Sequence, residues 1–227
     1  MLHVKHPDKH GQIYVTAPVF GRPEAAAAAK LFIVAAGPTE AIERCQPLFG
    51  AMGQKTFVIG EKSSDANLVK LSGNFLIAAT IESLGEAIAL ARKSGIDAHR
   101  YVDILTGTLF SAPVYKTYGE VIADEKYEPA GFKMALGFKD IRLALAAAET
   151  LQVPMPIASL VRDHFLSGLA RGEGDSDWAA LARTYAAVGR LFCRSEERAG
   201  LRIKPCAGDT GRLTRHGIFI LTGAMDG

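Results

Sequence analysis

Lys70 and Asn74 stand one helical turn apart in a segment of strong helical periodicity, Asp65 to Lys93, so their side chains project from one face. A lysine on such a face donates or accepts a proton when burial and neighbouring groups bring its pKa toward the working pH. An amide one turn on can orient the reacting oxygen. The same two residues on a solvated helix do no chemistry at all. Spacing alone leaves both readings open. The other reactive residue types form no comparable pattern. Cys45, Cys193 and Cys206 are odd in number, far apart and without C-x-x-C or Cys/His ligand spacing, which argues against a disulfide framework and against a zinc site. His3, His6 and His10 crowd a polar, proline-containing terminus of the kind that frays rather than binds metal.

Composition narrows the partners. The chain has 227 residues, 48% hydrophobic and 22% charged, with a formal charge of +2, which is the profile of a soluble globular protein with room for one large domain or two small ones. So small a charge, so scattered, favours neither nucleic acid nor an acidic membrane surface. No signal peptide opens the chain and no uninterrupted apolar run reaches membrane-spanning length, so a cytoplasmic protein is expected.

The elements that must position Lys70 and Asn74 are legible in outline. Residues 12–20, 31–36 and 55–59 are rich in β-branched and aromatic side chains and read as strands. Between the last two, Pro38 to Gly50 carries helical spacing through Ala41, Ile42, Cys45, Leu48 and Phe49. Together they make a small α/β unit, residues 1–64. Asp65 to Lys93 then reads as one helix, roughly 40 Å long, stopped by Gly95. Its apolar residues lie on nearly every side, more than so small a sheet can cover, so later helices or a second subunit must bury it. Helices are expected at Ala98–Leu105, Ala112–Ile122 and Lys133–Leu151. Another should run from Pro156 to about Ala170, and a last one, capped by Asp177, over Trp178–Phe192. Residues 65–192 are thus an all-helical part. Residues 193–227, rich in Arg and Gly with one apolar run at Gly217–Leu221, read as an irregular extension.

Three motifs occur in order: Ala17-Pro18-Val19 followed by Gly21, Lys70-Leu71-Ser72-Gly73-Asn74, and Phe138-Lys139-Asp140. In them the chain resembles the β-hydroxyacid dehydrogenase family, which includes 3-hydroxyisobutyrate dehydrogenase, glyoxylate and succinic semialdehyde reductases and, more distantly, 6-phosphogluconate dehydrogenase. The resemblance covers about residues 12–190. It implies the C-terminal part of a Rossmann-type NAD(P)-binding domain joined by one long helix to a helical substrate and dimerisation domain. It further implies that Lys70 is the general acid/base toward the substrate oxygen, with Asn74 holding the substrate. Gly21 would offer backbone N–H groups to a substrate carboxylate. Lys139 would reach the cleft of NADP or NAD and substrate, with Asp140 positioning it on the cofactor side. A strong homodimer and a small carboxylate-bearing substrate complete the implied picture.

The departures from the family pattern are specific. The family loop reads Asp-Ala-Pro-Val-Ser-Gly-Gly, whereas Thr16, Phe20 and Arg22 replace the acid, the hydroxyl and the second glycine here. Phe20 thereby takes the place of a substrate contact, and Arg22 becomes a candidate clamp for a substrate carboxylate, since guanidinium grips carboxylate in a bidentate way. Ser64 to Lys70 stands where the family has G-x-G-x-x-x-K, with neither glycine present, and retention of Lys70 argues against an imine-reductase specialisation. No G-x-G-x-x-G spacing occurs in the chain, so the sequence reads as an N-terminally truncated member. Two functions stay open. One is an NAD(P)-dependent oxidoreductase acting on a small 3-hydroxyacid or aldehyde acid, and the other a catalytically silent homologue that serves only as a dimerising helical module.

Overall fold

Strand β2 (Leu31–Ala36) is the centre of a three-stranded sheet ordered β1-β2-β3 in the computed structural model, which describes residues 13–185. β1 (Val19–Phe20) pairs antiparallel to β2, Val19 opposite Ile33, and β3 (Gly53–Gly60) pairs parallel to it. Alternation along β2 buries both of its faces. Ile33 and Ala35 pack on Ile42 and Phe49 of α2 (Thr39–Met52), the crossover helix that a parallel pair requires. Val34 and Ala36 point the other way and meet Ala66 and the ring of Phe20.

The first strand is far shorter than the nine residues its β-branched composition predicts. Pro18 lies in its path and has no N–H for the ladder. Its carbonyl still accepts from Val34 N–H at 2.9 Å, and pairing beyond it is reduced to a lone bridge between Thr16 and Ala36. A short helix, α1 (Pro23–Ala27), fills the connection to β2. The sequence reading missed it, because an alanine run with a leading proline favours helix yet has no periodic pattern to reveal it.

Helix α3 (Ser63–Lys93) leaves the sheet at Ala66 and runs the length of the helical half, ending at Ser94 with Gly95 at φ +84°. By length and composition α3 could cross a membrane, but Ala78, Ile81, Leu84 and Ile88 are buried against other helices, as in a core helix. The neighbours are α4 (Ala98–Thr106), α5 (Pro113–Asp124), α6 (Met134–Thr150) and α7 (Pro156–Ala170), each starting and ending close to its expected bounds. Gly137 on α6 lies under the rings of Phe165 and Trp178, where an added Cβ would stand 2.8 and 2.9 Å from ring carbons.

The last expected helix opens as a tight 3₁₀ turn, Trp178–Ala182. Asp177 does cap it, accepting from Ala179 N–H at 3.0 Å, but its other oxygen is taken by the N–H groups of Gly131 and Phe132. One carboxylate serving two segments pulls the helix start in. Residues 1–12 and 186–227 lie outside the described residues. With them lie His3, His6, His10, Cys193, Cys206, the end of the last helix and the Arg/Gly-rich extension.

Candidate functional site

The first turns of α3, the end of β1 and the start of α6 meet where the sheet joins the helices, and they carry most of the residues that the motifs single out. Lys70 sits half-buried on α3 with its Nζ 4.4 Å from the centre of the Phe20 ring. One turn along, Asn74 is 2% exposed and donates from Nδ2 to Oδ2 of Asp140 at 2.6 Å. Asp140 is itself buried, and its Oδ1 receives the exposed Lys139 ammonium at 3.1 Å. Phe20, Lys70, Asn74, Lys139 and Asp140 therefore form one constellation drawn from three elements.

Its electrostatics are uneven. Asp140 has partners on both oxygens, whereas Lys70 makes no ion pair or hydrogen bond among the described residues. Burial pushes the Lys70 pKa below the ordinary lysine value, with the field of Asp140 opposing the shift. A desolvated ammonium with unengaged N–H donors, beside a fixed amide, can give a proton to a carbonyl oxygen and take one back from a hydroxyl.

Arg22 and Gly21 lie at the edge of this group. Gly21 has φ +149°, and a Cβ there would come 2.6 Å from Leu31 Cδ2, so the turn requires glycine. Arg22 does not present a free fork. Its Nη2 is 3.5 Å from Asp177 Oδ2 and its guanidinium lies 5.6 Å from the centre of the Tyr118 ring, while Nη1 is buried with no protein partner. Gly131 passes directly beneath it, where a Cβ would overlap Nη2. Tyr118 also accepts the indole N–H of Trp178 at 2.9 Å, and burial is the main cause raising its phenol pKa.

Sequence reasoning took Tyr118 and Trp178 for ordinary helix residues and Asp177 for a simple cap. The available signal was the lone tryptophan, whose N–H needs a partner when buried. A second polar cluster, Glu82, His164 and Tyr185, was also missed. Its Glu82 lies on α3 roughly 18 Å along the helix from Lys70, and His164 reaches it from α7. There the Glu82 carboxylate receives both the Tyr185 hydroxyl and His164 Nδ1. A cavity of about 260 Å³ at the C-terminal ends of β2 and β3 is lined by Gly37, Thr39, Gln46 and Gly60 and by two carboxylates, Glu43 and Glu61.

Comparison with known proteins gives this geometry a context. Residues 64–185 match the family model described as NAD-binding of NADP-dependent 3-hydroxyisobutyrate dehydrogenase, and residues 3–60 match the NAD binding domain of 6-phosphogluconate dehydrogenase. An uncharacterized oxidoreductase of Bacillus subtilis is 46% identical over 182 residues, which is 80% of this chain and 63% of the relative. Glyoxylate/succinic semialdehyde reductase 1 of Arabidopsis thaliana is 32% identical over 171 residues, 75% of this chain and 58% of the relative. The solved 3-hydroxyisobutyrate dehydrogenase of Mycobacterium tuberculosis with L-serine superposes with a TM-score of 0.68 at 27% identity, over 78% of this chain and 62% of that one. The chain thus spans about six tenths of the length of the relatives it matches.

The nicotinamide cofactor named by both models has two ends to accommodate. Lys70, Asn74 and Lys139 carry groups that would suit the reacting end. A pyrophosphate needs backbone N–H groups at a helix start or cationic side chains; the cavity on the α/β unit borders the start of α2 at Thr39 but also carries Glu43 and Glu61.

Proposed function

The chain belongs to the β-hydroxyacid dehydrogenase family, and from that premise we propose that it is an NAD(P)-linked oxidoreductase in which Lys70 exchanges the proton of the reacting oxygen. The substrate is a small 3-hydroxyacid in one direction and an aldehyde acid in the other. The observation that carries this reading is Lys70 itself, desolvated, without a counter-ion in contact among the described residues, and one turn from an amide held by a buried carboxylate.

When bound, NAD(P)H supplies the hydride. The protein's own residues handle the proton and the orientation. In reduction the Lys70 ammonium gives a proton to the carbonyl oxygen, and in oxidation the amine takes it from the hydroxyl. Burial keeps the amine within reach, while Asp140 keeps the ammonium from being lost altogether. Asn74, fixed through its Nδ2, offers the rest of its amide to the substrate. Gly21, through its backbone, and Arg22, through its guanidinium, would meet the carboxylate. Phe20 forms the wall of the substrate cleft, and Lys139 together with Asp140 borders its cofactor side.

The division into residues 1–64, 65–192 and 193–227 belongs to the same proposal, as do a cytoplasmic location and a homodimer through the helical part. Exposed leucines on that part support the dimer, among them Leu76, Leu90, Leu160 and Leu166. The L-serine that accompanies the solved Mycobacterium tuberculosis relative is a three-carbon acid of the proposed size. NADPH consumption with glyoxylate and with succinic semialdehyde, measured for the wild type and Lys70→Ala, tests the reading. Turnover should be present in the first and lower by about 10²- to 10⁴-fold in the second. A protein that binds no NAD(P)H would instead be the dimerising module.

A further inference from the structure

We propose that Phe20 is the positioning residue of Lys70, its ring seated on Gly73 so that one face holds the lysine side chain in the cleft and favours its ammonium form. The proposal deepens the acid/base reading of Lys70 and rests on it for its catalytic meaning. The geometry stands without it. The ammonium lies 4.4 Å from the ring centre, inside the range of about 6 Å in which a ring face attracts a cation. No carboxylate touches Lys70 to do the same work among the described residues.

The ring is fixed from both sides. Below it a Cβ on Gly73 would come 2.5 Å from both Cε1 and Cζ, so the ring occupies the space a side chain at that position would need. Behind it, Phe20 packs on Val34, Ala36 and Ala66. The glycine at Gly73 is explained by the ring above it, and the ring by the lysine it supports. The two residues lie in different elements, β1 and α3.

Other charges around Lys70 are accounted for. Asp140 on α6 is the carboxylate whose field reaches it, and that group is engaged by Asn74 and Lys139. On α3 itself Asp65 lies 3.7 Å from Lys62. Arg22, Tyr118 and Asp177 form their own set, β2 has no charged residue, and Glu82, His164 and Tyr185 lie farther along the helix.

The test is a pH titration of the Lys70 resonance in the full chain labelled with carbon-13 lysine, assigned by its loss in Lys70→Arg and followed without cofactor. Phe20→Leu keeps apolar bulk but removes the ring face and should weaken proton binding at Lys70 about two- to fivefold, while Phe20→Tyr should titrate like the wild type. Gly73→Ala, which displaces the ring, should reproduce the leucine variant's loss, and the double variant should add nothing further. A folded Phe20→Leu protein in which Lys70 titrates as in the wild type, a tyrosine variant that behaves like the leucine one, or additive effects at the two positions would overturn it. If Gly73→Ala does not fold, the leucine and tyrosine variants decide alone. Turnover is read separately, so a protein that reduces no aldehyde acid but shows these shifts sinks the acid/base reading and leaves the positioning intact.

Discussion

Replacing Asp140 with alanine should destabilise the protein by about 2–4 kcal/mol, most of it through Asn74. The 2.6 Å bond from Asn74 Nδ2 to Asp140 Oδ2 joins two buried side chains, and its acceptor is a carboxylate oxygen. A hydrogen bond to a charged group contributes about 1.5–3 kcal/mol, and leaving the buried amide donor unpaired costs about 1–3 kcal/mol. The two figures overlap and do not add in full. The Lys139 contact contributes little, about 0–1 kcal/mol, because the lysine side chain is 59% exposed. Asp140→Asn should cost less, about 1–2 kcal/mol, since an amide oxygen can still accept from Asn74, although its NH₂ then faces the Lys139 ammonium. The assay is urea unfolding at pH 7 for wild type, Asp140→Ala, Asn74→Ala and the double variant, with midpoints compared at constant m. The cycle should show a coupling energy of about 1–2 kcal/mol. A cost below about 0.5 kcal/mol for Asp140→Ala, or a coupling near zero, would refute the claim that this bond holds the amide in place. In the same variant Lys70 should lose its proton at lower pH than in the wild type, because the field that opposes its desolvation is gone.

Two further outcomes follow from packing and titration. Tyr127 is 4% exposed and its phenol is pushed up to about 12, chiefly by burial and then by the charge of Glu125. A raised pKa means that the native state binds the proton more tightly. This contribution is therefore complete below pH 10 and is lost as pH rises from about 10 to 12, amounting to about 2–3 kcal/mol at most. Tyr118 acts in the same direction. Urea midpoints at pH 8, 10 and 11 should fall, and Tyr127→Phe should flatten the fall; an unchanged pH dependence in that variant would contradict the assignment. Gly137→Ala should cost about 1–3 kcal/mol by forcing apart Phe165 and Trp178, and the emission of Trp178 should change with it. Native emission with an unshifted melting temperature would show that the contact relaxes freely.

Periodicity made the helices legible. α2 and α4 to α7 show apolar residues at helical spacing, and Gly95 and Asp97 mark one end and the next beginning. Where local pattern competes with chain chemistry it fails. Pro18 cuts β1 short despite its β-branched neighbours, and the shared carboxylate of Asp177 tightens Trp178–Ala182 into a 3₁₀ turn. The site divides in the same way. Lys70 and Asn74 are visible because they share a helix face. Their partners are not, since Phe20 reaches Lys70 from the sheet and Asp140 reaches Asn74 from α6 through tertiary approach alone. Arg22 shows the limit most clearly. Its residue type suggests a free carboxylate clamp, but only the fold reveals that Asp177 already holds one side of its fork.

If Lys70 is the proton-transfer group of an NAD(P)-linked reaction, NADPH consumption by the purified 227-residue protein reveals it most directly. With a small aldehyde acid such as succinic semialdehyde, the wild type should show saturable turnover that Lys70→Ala abolishes while keeping its fold and its affinity for NADPH. Turnover that survives unchanged in Lys70→Ala, or a wild type that neither binds NADPH at millimolar concentration nor consumes it, would contradict the account.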